Sequence, residues 1–136
     1  MPLKASELKV GDSHSERVVE NLSRTQIVQY AGASGDYNPI HTDEVYTTKV
    51  AGYPSVFAQG MLTMGLTGKM LTNYVGDGRL TRFGVRFTNQ VWPGDSLDAK
   101  ATVTAIKDGV VELEVVTTNQ DGKEVVRGSA EARIDT

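Results

Sequence analysis

The stretch FAQGMLTMGLTGKMLTNYVG, residues 57–76, decides the fold. Leucine, methionine and alanine dominate it, and Pro54 and Gly76 bracket it, so it predicts a helix over residues 58–74. Its apolar residues fall on more than one face, which indicates a helix buried on most sides. Each of its internal glycines costs about 1 kcal/mol relative to alanine, so we expect other parts of the chain to pack closely against it.

The spacing of apolar residues changes after this helix from a helical pattern to the alternation that is typical of strands. In the segment LTRFGVRF, residues 80–87, apolar and polar residues alternate, so that its two phenylalanines lie on one side. This pattern is typical of a half-buried strand. Further alternating segments follow, separated by a turn at residues 92–95 and by Asp-Gly hairpin signals at residues 108–109 and 121–122. These signals predict an antiparallel meander of four strands, and a short strand near residues 17–20 brings the sheet to about five.

Two helical segments precede the central helix. Ser23 stands three residues before a glutamine, which is the spacing of a capping box, and it opens a predicted helix over residues 25–33. Gly35 fits the C-terminal stop of that helix. A shorter helix is predicted over residues 43–48, with Asp43 near its start, where the helix dipole favours a carboxylate.

This order of elements predicts the fold class. Helices come first and strands second, and the central helix is too apolar to stand free. The physical solution is an α+β fold in which a curved antiparallel sheet wraps round one long central helix. We expect one such domain over residues 1–136, because this length is too short for two. The sheet would leave exposed edges, which a second copy often covers, so we expect a dimer.

Composition excludes several classes of function. Cysteine is absent, which rules out disulfides and thiolate catalysis. The net charge is −3 and the basic residues are scattered, so we expect no nucleic-acid partner. No apolar run reaches the about 18 residues of a membrane span, and the N-terminus lacks the apolar core of a secretory signal. We therefore expect a cytoplasmic protein that does not enter a membrane.

The loop SGDYNPIHTD, residues 34–43, holds the first candidate site. A proline turn separates Asp36 from His41, and a carboxylate with an imidazole is what acid–base chemistry near neutral pH requires. Alternatively, Asp36 forms an Asx-turn with its own backbone and His41 is structural. Spacing alone favours neither interpretation. A metal site at Asp36, His41 and Asp43 is a weaker hypothesis, because such sites usually contain more histidine, so we expect no metal.

Gly60 is the second candidate, because it lies at the start of the central helix. Backbone N–H groups at this end lack partners within the helix and carry the positive end of its dipole. They could stabilise negative charge that develops on a carbonyl oxygen. Close packing of the helix start is an alternative reason for a glycine, and both reasons can hold together.

Three segments resemble one known family. YAGASGDYNPIHTDEVY at residues 30–46, AQGMLTMGL at residues 58–66 and VRFTNQVWPGDSL at residues 85–97 are similar to segments of the MaoC-like hydratases and dehydratases. The resemblance covers nearly the whole chain and is strongest to the small actinobacterial dehydratase subunits. It implies a hot-dog fold and reversible hydration of trans-2-enoyl thioesters to (3R)-hydroxyacyl thioesters. It also implies acyl-CoA or acyl carrier protein substrates, no cofactor, and a homodimer or a heterodimer with a second hot-dog subunit.

The resemblance also assigns roles to residues. Asp36 and His41 would form the catalytic pair, Asn38 would shape the turn and orient the site, and Gly60 would supply an N–H to the oxyanion. The acyl chain would enter an apolar slot beside the central helix. The family commonly has His-Gly at the helix start, whereas this chain has Gln59-Gly60. We interpret Gln59 as a substitution next to the reacting groups that keeps a hydrogen-bonding side chain.

Two rival functions exist on the same fold. One is a stabilising or acyl-binding subunit of a heteromeric dehydratase without its own turnover, but this chain keeps both Asp36 and His41. The other is a thioesterase, which would usually need a carboxylate on the central helix. Residues 58–74 contain neither Asp nor Glu, so we do not favour a thioesterase.

Overall fold

The computed structural model describes residues 3–135, in which a five-stranded antiparallel sheet curves round a helix of 16 residues. The α+β hot-dog fold is thereby confirmed. Short 3₁₀ turns occur at Ala5–Glu7 and Pro39–His41. The helices and strands, in chain order, are β1 (Ser13–Val19), α1 (Arg24–Ser34), α2 (Glu44–Lys49), α3 (Gly60–Val75), β2 (Leu80–Phe87), β3 (Leu97–Lys107), β4 (Val110–Thr118) and β5 (Glu124–Arg133).

The sheet has the strand order β1-β3-β4-β5-β2, which corrects one prediction. Strands β3, β4 and β5 form the expected meander, but β2 crosses to the far edge and pairs with β5 instead of β3. The turn at residues 92–95 does form, with the Asp95 N–H donating to the Trp92 carbonyl at 3.0 Å. The segment between β2 and this turn pairs with the residues that precede α3, since the Ala58 N–H donates to the Val91 carbonyl at 2.8 Å. A local turn signal indicates that the chain reverses direction, but it does not indicate which strand pairs with which.

The hairpins of the meander follow their turn residues. Asp108 and Gly109 have φ angles of 53° and 78°, as the two central residues of a tight hairpin with two positive φ values require. The predicted two-residue turn at residues 121–122 is instead part of a longer loop. The Asn119 N–H donates to the Lys123 carbonyl at 2.9 Å across that loop. The two hairpins place the three strands of the meander side by side.

The helix signals are confirmed with small shifts. The Ser23 hydroxyl accepts a hydrogen bond from the Gln26 N–H at 3.0 Å, so α1 begins one residue earlier than predicted. Gly35, with a φ of 78°, ends it in the left-handed conformation. The Asp43 carboxylate accepts from the Tyr46 N–H at 3.0 Å and caps α2. Strand β1 lies a few residues upstream of the predicted position.

The glycines of α3 explain how the sheet approaches the helix. A Cβ on Gly60 would lie 3.0 Å from the ring of Phe87, and a Cβ on Gly68 would lie 3.3 Å from the ring of Phe83. Close packing was therefore correctly predicted for these two glycines. Gly65 faces open space, and with Met61 it belongs to an exposed stripe, so the helix is less completely buried than expected.

The main core lies between the second half of α3 and the sheet. Met70, Leu71 and Val75 are fully buried there against inward-facing residues of β3, β4 and β5. No helix within residues 3–135 is long and apolar enough to cross a membrane. The first half of α3 points toward the loops that carry the candidate site.

Candidate active site

The loop after α1 is held by its own hydrogen bonds. Asp36 Oδ1 accepts from the Asn38 N–H at 3.3 Å, and Asn38 Oδ1 accepts from the Ile40 N–H at 3.2 Å. The second bond caps the 3₁₀ turn that carries His41, and Pro39 begins that turn. The Asx-turn of Asp36 is therefore real. It leaves the second carboxylate oxygen of Asp36 free to face another group.

That second oxygen faces His41. Asp36 Oδ2 lies 3.6 Å from His41 Nε2, with 43% of the Asp36 side chain exposed and only 8% of the His41 side chain. This separation is too long for a direct hydrogen bond. An oxygen atom could lie at a hydrogen-bond distance of about 2.8 Å from both Nε2 and Oδ2, because 3.6 Å is less than the sum of two such distances. One water or substrate hydroxyl can therefore contact both residues at once.

The opposite nitrogen of the ring fixes the tautomer of His41. Nδ1 lies 2.7 Å from the Phe57 carbonyl oxygen, which can only accept a hydrogen bond. Nδ1 therefore carries the proton, and in the neutral ring Nε2 presents its lone pair toward Asp36. The Phe57 N–H donates back to the Ile40 carbonyl at 3.3 Å. The two bonds tie the loop to the segment that leads into α3.

Gly60 begins that helix beside a cavity of about 270 Å³. The Gln59 carbonyl accepts from the Leu62 N–H at 3.1 Å, and the N–H of Gly60 has no hydrogen-bond acceptor within residues 3–135. Its amide is thus free to bind an oxyanion. Neither Asp36 nor His41 lines the cavity, but Phe57 does, and its ring meets the His41 ring edge-on at 5.5 Å between centroids. The structure therefore brings Asp36 and His41 within 3.6 Å of each other, and Phe57 lies between His41 and the cavity that Gly60 lines.

Gln59 turns away from this cavity. Its side chain is buried, and Nε2 donates to the Ile27 carbonyl of α1 at 3.0 Å. Oε1 is also buried and has no hydrogen-bond partner in the described part of the chain. Gln59 therefore connects the start of α3 to α1, the helix that leads into the Asp36 loop.

Two supporting residues were missed from the sequence. Glu44 Oε2 accepts hydrogen bonds from the Arg24 guanidinium and from the Val56 N–H, so it links α1, α2 and the segment before α3. The hydrogen bond from Arg24 is the main reason that the pKa of Glu44 lies below its usual value. The carbonyl of Phe57 was also missed. The sequence could not reveal these roles, because they depend on contacts between segments that are distant along the chain.

The structure gives no support to a metal site. Among residues 3–135, no group of three or more His, Asp or Glu side chains is close enough to hold a metal ion. The Asp43 carboxylate caps α2 instead of facing His41. The other histidine, His14, lies on β1, with Nε2 at 2.7 Å from Glu16.

Comparison with known proteins places the chain in a family. The chain is 31% identical over 116 residues to 3-hydroxyacyl-thioester dehydratase Y of Mycobacterium tuberculosis, covering 83% of this chain and 39% of that protein. It thus spans about two fifths of the length of this relative. The chain is similar in structure to the R-hydratase PhaJ1 of Pseudomonas aeruginosa, with a TM-score of 0.85 and 28% identity, covering 96% of this chain and 84% of that one.

A second solved structure gives the same result. The (R)-hydratase of A. caviae, involved in PHA biosynthesis, has a TM-score of 0.85 and 25% identity, covering 96% of this chain and 99% of that one. The sequence profile of the family described as MaoC like domain matches residues 6–125. The match covers most of the chain, including the loop of Asp36 and His41 and the start of α3, and the chain therefore belongs to the MaoC-like dehydratase family.

Proposed function

We propose that this protein is a hydro-lyase that interconverts (3R)-hydroxyacyl and trans-2-enoyl thioesters, with Asp36 and His41 as its acid–base pair. The observation that carries the proposal is the geometry of the pair. His41 Nε2 lies 3.6 Å from the partly exposed carboxylate of Asp36, and the Phe57 carbonyl accepts a hydrogen bond from the other ring nitrogen. The similarity to proteins named as dehydratases and hydratases supports the same reaction.

The residues can be assigned to steps of dehydration. His41 Nε2 removes the proton from C2, and the electron pair moves onto the thioester oxygen, which accepts a hydrogen bond from the Gly60 N–H. The enolate then re-forms its carbonyl while the C3–O bond breaks. Asp36 holds the departing hydroxyl group. The proton taken from C2 leaves with that hydroxyl as water, so the pair returns to its starting state.

The acyl group and its carrier follow from the same site. We propose coenzyme A or acyl carrier protein as the carrier, with no cofactor, since the thioester itself acidifies the proton at C2. The acyl chain would enter the cavity beside Gly60, whose floor includes the buried residues Val91, Val125 and Val126. We propose that this cavity is the apolar slot beside the central helix that the family resemblance implies.

The assembly is part of the proposal. Strands β1 and β2 form the two edges of the sheet, and each pairs on one side only within the described residues. We propose that a second hot-dog subunit, identical or different, covers an edge. Light scattering on the purified chain distinguishes a homodimer from a monomer that needs another subunit. We also propose a cytoplasmic location, which cell fractionation would check.

The test of the reaction uses crotonyl-CoA and follows the loss of the ultraviolet absorbance of the enoyl thioester. Asp36→Asn and His41→Gln should each lower kcat by about 10²- to 10⁴-fold, because each removes one acid–base group. Asp43→Asn is the matched control from the same loop, because asparagine can still cap α2 and should leave kcat nearly unchanged.

Two outcomes would count against the proposal. If both Asp36→Asn and His41→Gln kept near wild-type rates, the pair would not be catalytic. If the wild-type protein were inactive on short and long enoyl-CoA alike, even with a co-expressed second subunit, the chain would not be an active hydratase.

A further inference from the structure

The segment that orients His41 is also bound to α1. The Phe57 carbonyl accepts a hydrogen bond from Nδ1 of His41 at 2.7 Å. Two residues later, Nε2 of Gln59 donates to the Ile27 carbonyl of α1 at 3.0 Å. Asp36 lies two residues after the end of α1. These contacts close a ring around the proposed catalytic pair, because α1 leads into one member and the segment before α3 orients the other.

The Gln59 link is buried, whereas a second link between α1 and this segment is exposed. Gln59 is 1% exposed. The second link is Glu44, which joins Arg24 of α1 to the Val56 N–H, and 44% of its side chain is exposed. A hydrogen bond in the low-dielectric interior is stronger than one for which water competes. Gln59 is therefore the link that best fixes the segment relative to α1.

Stability alone does not explain the amide of Gln59. Its Oε1 is sealed from solvent and has no hydrogen-bond partner within residues 3–135. An orphaned buried acceptor costs more than an average hydrogen bond gains. The Ile27 carbonyl lies inside α1, where the N–H four residues later is its helical partner, so it does not depend on Gln59. Polar groups that are kept at such a cost are typical of functional sites.

We infer that Gln59 is a positioning residue, which sets the geometry of Asp36 and His41 by tying the segment that carries the Phe57 carbonyl to α1. The inference rests on the proposed function and deepens it with a residue that acts through Phe57 and does not line the cavity. Without the amide, this segment can shift relative to α1, and the His41 ring moves with the carbonyl. The 3.6 Å separation that lets one oxygen atom contact both residues is then lost.

The experiment measures hydration of crotonyl-CoA by Gln59→Met and Gln59→His. Methionine keeps the length of the side chain and removes both polar atoms. We expect kcat to fall by about 10- to 10²-fold, as for reacting groups misplaced by about 1 Å, with KM unchanged and Tm unchanged or higher. Gln59→His should recover most of kcat, because its ring N–H reaches about as far and can donate to the Ile27 carbonyl.

Thr67→Val is the matched control from the same helix. Thr67 is also buried and polar, but its hydroxyl bonds to the Thr63 carbonyl and to Thr117, away from α1 and the Asp36 loop. This variant should lower Tm and leave kcat of the folded protein unchanged. A kcat near the wild-type value in Gln59→Met, or an equal fall in Thr67→Val, would overturn the inference. So would a Gln59→His variant that keeps the wild-type Tm and recovers no activity.

Nuclear magnetic resonance of the His41 ring separates this inference from the proposed reaction. A ring proton that is bonded to a carbonyl exchanges slowly with water and gives its own signal, and the loss of that signal in His41→Gln assigns it. Gln59→Met should shift or broaden the signal without substrate, whereas Thr67→Val should not.

The two readouts fail independently. If the signal changes in Gln59→Met but the wild type hydrates no enoyl-CoA, the proposed function fails and the control of His41 by Gln59 stands. If the wild type hydrates crotonyl-CoA but Gln59→Met alters neither kcat nor the signal, the proposed function stands and the inference is wrong.

Discussion

The two halves of α3 bury different kinds of side chain. The first half presents polar groups to the interior: Gln59, Thr63 and Thr67 are all buried and stand four residues apart. The second half presents Met70, Leu71 and Val75, which are buried among the valines, alanines and leucine of the sheet. One helix thus carries a candidate site at its start and part of the main core at its end. Substitutions in the second half should therefore lower stability without lowering kcat of the folded protein.

The largest effect on stability is expected from Leu71→Ala. Leu71 is fully buried in the main core, and truncation of such a residue costs about 2–5 kcal/mol through lost transfer energy and a cavity. Urea unfolding measures the loss. If the two halves are separate in function, kcat of the folded variant should stay near the wild-type value. A large fall in kcat of the fully folded variant would contradict this separation of roles between the two halves of α3.

The buried threonines should give a smaller and non-additive effect. Thr67 Oγ1 donates to the Thr63 carbonyl at 2.9 Å and lies 2.7 Å from Thr117 Oγ1, so the Thr117 hydroxyl must be the donor in that second bond. Thr67→Val leaves this donor buried without a partner and should cost about 1–3 kcal/mol. The double variant with Thr117→Val should recover part of the loss. Denaturant unfolding of both single variants and the double variant measures this coupling, and strict additivity would contradict it.

Gly65→Ala should change stability in the opposite direction. Gly65 is exposed, and a Cβ there meets nothing within 4 Å, so alanine should stabilise the helix by about 0.5–1 kcal/mol. Gly68→Ala is the contrasting variant, because its Cβ would press on the Phe83 ring at 3.3 Å. Thermal unfolding should place the two variants on opposite sides of the wild type. Loss of stability in Gly65→Ala would indicate that a second subunit covers this face.

The smallest effect concerns pH and the second half of α3. Burial raises the pKa of Glu16, but hydrogen bonds from His14 and Asn73 outweigh this effect, so the pKa lies below its usual value. A lowered carboxyl pKa stabilises the fold above the unfolded pKa, and that stability is lost as pH falls through the folded pKa.

Glu16→Gln tests this linkage. The variant should be slightly less stable than the wild type at neutral pH, by less than about 1 kcal/mol. The difference in Tm should shrink as the pH falls below 4.5. Thermal scans from neutral to acidic pH measure it. A difference that stays constant over this range would contradict the role of the ionised carboxylate.

Local signals in the sequence predicted most of the elements. The caps at Ser23 and Asp43 and the positive-φ turn at residues 108–109 are encoded within a few residues, and the structure places all three as expected. The candidate pair was also readable, because Asp36 and His41 lie in one loop. Distant pairing was not readable: nothing near β2 indicates that β5 is its neighbour. The contact between His41 and the Phe57 carbonyl could not be predicted either, since every residue has a carbonyl and the sequence does not mark this one.

The crossing of β2 to the far edge has a consequence for how the chain folds. Val85 pairs with Gly128, and a Cβ on Gly128 would collide with the Gly84 carbonyl, so β2 and β5 approach closely at this glycine. Strand β2 leaves the ribosome long before its partner β5, and β1 leaves it long before its partner β3. During synthesis β2 therefore emerges before the strand with which it pairs. From its own synthesis until that of β5, the central helix lacks part of the sheet that buries it, so the fold depends on late, long-range contacts.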